Sequence, residues 1–204
     1  LAAKSARKKG TKVIYTAHGF HFFKGASIKN WMLFYPVEKY LSKYTDCLIT
    51  INSEDCELAH KKKFRAGKIY KVHGVGVELD KFKAVDADEK ARLRAEYGYD
   101  GDTFIMIYPA DLAVGKNQQM LFDVIQKIAK KNEKVKLLLP GQPIMLEKYK
   151  MMVSERGIAD KVDFLGYRRD INNLVGLSDL SVTSSVREGL PINIIEAMAM
   201  GNAI

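Results

Sequence analysis

Leu180-Ser181-Val182-Thr183-Ser184-Ser185-Val186-Arg187-Glu188-Gly189-Leu190-Pro191, running on through Ile192-Asn193-Ile194-Ile195-Glu196-Ala197-Met198-Ala199-Met200-Gly201, is an apolar run, a polar loop and a helix in succession. The expected strand covers Leu180 to Thr183 and the expected helix Pro191 to Met200. Proline suits the first helical position because its missing N–H has no partner there anyway, and Gly201 stands where a helix should stop. In a parallel sheet this loop lies at the carboxyl end of its strand, where open α/β sheets bind ligands. First-turn amides left unpaired, aided by the helix dipole, favour a phosphate or another anion. Glu188 and Glu196 would add two strong hydrogen-bond acceptors for hydroxyl-rich partners such as a sugar and a ribose. The spacing alone fits equally a loop charge and an ordinary helical glutamate.

The same alternation runs through the chain, and it predicts an α/β fold with parallel sheets covered by helices. Strands are expected at 12–16, 47–51, 68–72, 104–108, 135–139 and 162–165. Helices are expected at 29–44, 53–64 with Ser53 as N-cap, 87–97, 117–131 and 143–157. From Val77 to Ala87 the alternation lapses into Glu78-Leu79-Asp80-Lys81-Phe82-Lys83, which places a domain boundary near residue 82. Residues 1–9 read as the tail of a helix, and Gly201-Asn202-Ala203-Ile204 as the start of a strand. The expectation is an interior fragment with two domains, 1–82 and 83–204, each partly present.

With 204 residues, 47% of them hydrophobic, the chain can bury a core. No run of about 18 apolar residues is found, and the Lys/Arg-rich start lacks the apolar core of a signal peptide. Cys47 and Cys56 read as small buried hydrophobes, which fits a reducing, cytoplasmic setting. The net charge of +9 is one-sided. Residues 1–82 hold 16 Lys+Arg against 7 Asp+Glu, and residues 83–204 hold 17 against 17. Such a basic half attracts an anionic partner such as a membrane surface, a phosphorylated substrate or nucleic acid, or else is a solvated lysine-rich face.

Glu188-x7-Glu196, enclosing Gly189, Leu190 and Pro191, resembles the Glu-x7-Glu motif of glycosyltransferase family 4, whose members have two Rossmann-like domains of the GT-B type. The resemblance implies that Glu188 contacts the donor sugar and Glu196 the ribose, while Leu190 and its neighbours offer backbone amides to a diphosphate. Tyr108-Pro109-Ala110-Asp111-Leu112-Ala113-Val114-Gly115-Lys116-Asn117 resembles the same family's Gly-Arg-Leu-x3-Lys loop, which assigns Lys116, with Asn117 beside it, to the donor diphosphate. This sequence departs from the pattern at Ala110 and Asp111. A carboxylate repels a diphosphate, so either Asp111 points away or another cation compensates. Thr16-Ala17-His18-Gly19-Phe20-His21 resembles the loop whose histidine faces the donor sugar, a role that falls to His18, with His21 a weaker candidate.

The resemblance therefore implies a retaining transferase acting on a nucleotide-diphosphate sugar, expected to be a UDP-sugar. The acceptor would be lipid-linked or a saccharide in cell-surface polysaccharide (capsule or exopolysaccharide) synthesis, with peripheral contact to an anionic membrane. No metal and no separate cofactor are expected. Asp86-Ala87-Asp88 reads as a helix cap, and the histidines and cysteines have no zinc spacing. The rivals are a nucleotide-sugar epimerase of the same fold and a basic binding module. The excess charge comes without an RNA-binding signature, so no nucleic-acid partner is expected.

Overall fold

The computed structural model describes residues 4–74 and 76–204. Contacts divide the chain into two units, Leu1–Gly76 with Glu188–Leu190, and Val77–Arg187 with Pro191–Ile204. The division between Gly76 and Val77 precedes the charge break near residue 82. Phe82 is buried in the second unit and Val77 packs against the same cluster.

In the first unit, α1 (Lys4–Lys8) leads to β1 (Ile14–Ala17), α2 (Ile28–Ser42), β2 (Cys47–Thr50), α3 (Ser53–Lys61) and β3 (Lys68–Lys71). The three strands lie parallel in the order β1-β2-β3. Ala17, Phe20, Phe22, Leu48, Ala59 and Phe64 form the core, with Trp31, Phe34 and Tyr35 of α2 packed on it. The cap of α3 is Asn52 and not Ser53: its side-chain oxygen accepts the Asp55 amide at 2.8 Å. Asparagine caps as well as serine, and the strand ends early enough to leave it free for that role. Cys47 and Cys56 are both free and half-buried.

The second unit contains α4 (Ala87–Glu96), β4 (Phe104–Ile107), α5 (Gln118–Ala129), β5 (Val135–Pro140), α6 (Leu146–Glu155), β6 (Val162–Gly166), α7 (Ile171–Leu177), β7 (Leu180–Ser181) and α8 (Ile192–Ala199). Its sheet is parallel, in the order β6-β5-β4-β7. Successive residues of β4 and β5 point to opposite faces, as the pleat requires. Met106, Leu137 and Leu139 join α5 and α6 in one cluster, whereas Ile105, Ile107 and Leu138 join α4, α7 and α8 in another. Burial on both sides explains why these strands read as continuous apolar runs. Asp86 caps α4 by accepting the Glu89 amide at 2.8 Å.

Several elements of this unit differ from expectation. β7 is two residues long where four were expected, and α7 was not anticipated at all. The start of α8 moves to Ile192, with Pro191 at the N-cap. The carboxyl-terminal residues do approach the sheet, through a parallel bridge from Leu180 to Ala203.

Candidate functional site

The strand order of the second unit creates a switch point. From β4 the chain adds β5 and β6 on one side, then returns to lay β7 on the other. Connections leaving the carboxyl ends of β4 and β7 thus diverge, which is where open α/β sheets bind ligands. Lys116 and Ser184 to Arg187 lie on these two connections.

The connection after β4 is built on backbone pairing. The Ala110 amide donates to Pro140 at 3.0 Å and the Leu112 amide to Gln142 at 2.9 Å. A 3-10 turn, Val114–Lys116, follows, and Asn117 takes the left-handed conformation (φ 53°) to enter α5. Gln118 is fully buried, donates to the Asp111 carbonyl at 2.8 Å and accepts from the Tyr149 hydroxyl at 3.2 Å. The connection after β7 is joined to it. Ser184 Oγ donates to the Lys116 carbonyl at 2.8 Å, the Val186 amide donates to Gly115 at 3.0 Å, and the Tyr108 and Ser185 hydroxyls lie 2.5 Å apart. Lys116 and Asn117 are half-buried in this joint.

Asp111, the departure from the family pattern, has a structural partner. Its Oδ1 accepts the Gln142 amide at 2.9 Å, so the carboxylate ties the loop after β4 to the loop after β5. Gly141 permits that approach. A Cβ there would stand 2.1 Å from the Ala110 carbonyl oxygen and 2.8 Å from the Asp111 nitrogen. Backbone atoms cannot yield as a flexible side chain does, so Gly141→Ala should destabilise the protein by about 3 kcal/mol, the upper range for overpacking. Urea unfolding with an unchanged slope and a lowered midpoint is the expected result.

Pro191 and Glu196 open α8 within the same unit, and Glu196 is half-buried. Burial pushes its carboxyl pKa up, Lys81 opposes the rise and Glu78 adds to it. Glu78 and Lys81 come from the stretch that read as a linker, so their influence on Glu196 was not visible in the sequence.

His18, Glu188, Gly189 and Leu190 group with the first unit. His18 is exposed in the bend directly after β1. Its loop is anchored by Asp55, which is fully buried and accepts the Phe20 amide at 3.1 Å and the Asn52 side-chain amide at 2.8 Å. Asp55 is one of two acidic residues, with Glu54, in the first turn of α3. The imidazole of His21 stacks on Phe34, with centroids 4.5 Å apart. Glu188 is half-buried.

Arg168 and Lys62, from the short basic runs Arg168-Arg169 and Lys61-Lys62-Lys63, have partners of their own. Arg168 donates to Asp170 at 2.8 Å, and Lys62 Nζ lies 5.3 Å from the centroid of Trp31. Among the described residues, no group of three or more His, Cys, Asp or Glu is placed to hold a metal ion. A cavity of about 370 Å³ in the first unit is lined by residues that include Arg7, Val13, Ile14, Tyr44 and Thr45. Several of these sit near the amino-terminal ends of β1 and β2, away from the strand ends where ligands are expected.

Similarity to known proteins agrees with this geometry. Residues 89–204 match the family model described as glycosyl transferases group 1. The chain is 47% identical to EpsD of Bacillus subtilis (strain 168), which carries a glycosyltransferase assignment, over 98% of this chain and 52% of EpsD. It is 27% identical to the UDP-Gal:alpha-D-GlcNAc-diphosphoundecaprenol alpha-1,3-galactosyltransferase of Escherichia coli, over 98% of this chain and 53% of that enzyme. The crystal structure of Anabaena HepE in complex with UDP and glucose superposes with a TM-score of 0.82 at 20% identity, covering 98% of this chain and 54% of HepE. This likeness is one of fold, that of the two-domain GT-B glycosyltransferases. The chain spans about half the length of the relatives it matches. By its sequence match and its parallel-sheet architecture, the chain belongs to the glycosyl transferases group 1 family.

Proposed function

We propose that the polypeptide carrying this chain is a retaining glycosyltransferase that moves a sugar from a UDP-sugar to a lipid-linked or saccharide acceptor during cell-surface polysaccharide assembly. The observation that carries this reading is the joint between the loops after β4 and β7, where Ser184 holds the Lys116 carbonyl at 2.8 Å at the switch point of the sheet. That joint fixes the backbone of a lysine at a strand end suited to a diphosphate, next to the loop that leads into α8. Lys116 and Asn117 bind the diphosphate, aided by amides near Leu190 and Pro191. Glu196 accepts from the ribose, and Glu188, Gly189 and His18 serve the donor sugar. The chief contributions are positioning and stabilisation of the departing diphosphate. The substrates in the name of the Escherichia coli relative, a UDP-sugar and a diphosphoundecaprenol-linked saccharide, support the donor and acceptor classes.

The test is a screen of labelled nucleotide sugars against lipid-linked and saccharide acceptors, using the whole polypeptide. Transfer from a UDP-sugar with retained anomeric configuration is expected, and Glu188→Ala should lower turnover by roughly 10²-fold. A labelled product formed without any acceptor, or full turnover in the variant, would sink the reading.

A further inference from the structure

His18 stands between two fixed points. Ala17, which ends β1, and Phe20 are each 2% exposed, whereas His18 between them is exposed. The ring of Phe20 stacks on Phe22 with centroids 4.8 Å apart and lies 5.5 Å from Phe64. Apolar contacts hold that ring in the core, but they are not directional and do not set the path of the backbone. Direction comes from the Phe20 amide, which donates to Asp55 Oδ2 at 3.1 Å across 35 residues of chain.

Asp55 is fully buried. An acid that serves only a helix dipole works at the surface, and burying a carboxyl is costly unless hydrogen bonds compensate. Here Asn52 and Asp55 hold each other. Asn52 Nδ2 donates to Asp55 Oδ2 at 2.8 Å, and the Asp55 amide donates to Asn52 Oδ1 at 2.8 Å. The oxygen that takes the Phe20 amide is therefore fixed by the same side chain that caps α3. That side chain also borders the segment carrying Glu188. Glu188–Leu190 belongs to the first unit, and a Cβ on Gly189 would stand 2.3 Å from the His18 carbonyl oxygen and 3.8 Å from Asn52 Nδ2. Only glycine fits so close to that carbonyl. One hydrogen-bonded pair thus locates the backbone on which both His18 and Glu188 depend.

We propose that Asp55 and Asn52 are positioning residues for the donor-sugar end of the site, fixing the His18 loop and the seat of Gly189 on it. The inference rests on the reading that His18 and Glu188 serve the donor sugar. Because the diphosphate and ribose contacts are assigned to Lys116, Asn117 and Glu196 of the second unit, the pair acts on turnover and not on nucleotide affinity.

Kinetics of the whole polypeptide, with the UDP-sugar that the labelled screen returns and with UDP as the binding probe, test it. Asp55→Ala should lower kcat on the order of 10²-fold, the scale of a misplacement of about 1 Å, and leave UDP affinity native. Asp55→Asn keeps the shape and an oxygen for the Phe20 amide, and should recover most of that loss. In a His18→Ala background Asp55→Ala should lower kcat little further, because a residue that works through His18 has nothing left to place. Asn52→Ser keeps an oxygen to cap α3 and loses the donor to Asp55, so it carries the same cycle if Asp55→Ala does not fold. Hydrogen exchange adds a readout free of turnover: residues 16–22 should exchange on the order of tenfold faster in Asp55→Ala, and residues 47–50 at the native rate. Native kcat in Asp55→Ala, equal losses in both backgrounds, a parallel fall in UDP affinity, or faster exchange in both segments would overturn the proposal and leave the transferase reading standing. Native kcat in His18→Ala would instead remove His18 from the donor site, and the proposal with it.

Discussion

Asp179→Ala should lower the stability of the protein by about 3 kcal/mol, the cost of breaking a largely desolvated ion pair from one side. Asp179 sits just before β7 and gathers three donors. Lys90 Nζ reaches Oδ1 at 2.7 Å, Arg94 Nη2 reaches Oδ2 at 2.6 Å, and the Ile105 amide donates to Oδ2 at 2.8 Å. Arg94 also donates to the carbonyls of Leu177 and Gly101, and its side chain is only 8% exposed. Removing the carboxylate leaves a buried guanidinium short of its counter-ion and unlinks α4 from the entry of two strands. In a thermal scan the melting midpoint should fall by roughly 10 °C. The effect has a pH signature. Burial alone would raise the Asp179 carboxyl pKa, but the hydrogen bonds from Lys90 and Ile105 and the charges of Lys90 and Arg94 outweigh it and hold it below the usual carboxylate range. A carboxyl depressed on folding contributes stability above its unfolded pKa of about 4 and loses it as pH falls through the lower folded value. The stability gap between the native protein and Asp179→Asn should therefore be full at pH 7 and close at strongly acidic pH. An equal gap throughout would mean that Asp179 acts through packing and not through charge.

The parallel α/β plan was legible because β4 and β5 are buried on both faces and declare themselves as Phe104-Ile105-Met106-Ile107 and Val135-Lys136-Leu137-Leu138-Leu139. Helix α7 was not, for Asn172, Asn173 and Gly176 are poor helix formers and the element is held by its surroundings. A Cβ on Gly176 would lie 3.2 Å from Val85, 3.3 Å from Leu93 and 3.5 Å from Met200. Long-range polar joints left no local trace either. Nothing near Asp111 in the sequence announces Gln142, and nothing near Ser184 announces the carbonyl of Lys116. Position alone makes Asp55 one more acid in the first turn of a helix, whereas burial and the Phe20 amide make it the anchor of the His18 loop. For α2 the periodicity revealed a helix but not which apolar face meets the core, since both are apolar.

Lys116→Ala should reduce kcat/KM for the proposed sugar transfer on the order of 10²- to 10³-fold, the range for losing one preorganised group that stabilises charge developing on a leaving group. The substitution is informative because the fold uses the backbone of this residue. Ser184 binds the Lys116 carbonyl and the Val186 amide binds the neighbouring Gly115, contacts that alanine preserves. Ser184→Ala supplies the complementary control: it releases the joint and keeps the ammonium, so its loss should be smaller and shared between KM and kcat. Titration with UDP separates ground-state binding from catalysis. If Lys116 holds the diphosphate throughout, UDP affinity falls with turnover; if it acts chiefly as the bond to the sugar breaks, turnover falls further than affinity. Arginine at this position would keep the charge but spread it over a planar fork that a site shaped for a compact ammonium does not match, so Lys116→Arg should recover only part of the activity. Native turnover and native UDP affinity in Lys116→Ala would remove this lysine from the donor site and leave the joint between the two loops as a purely structural device.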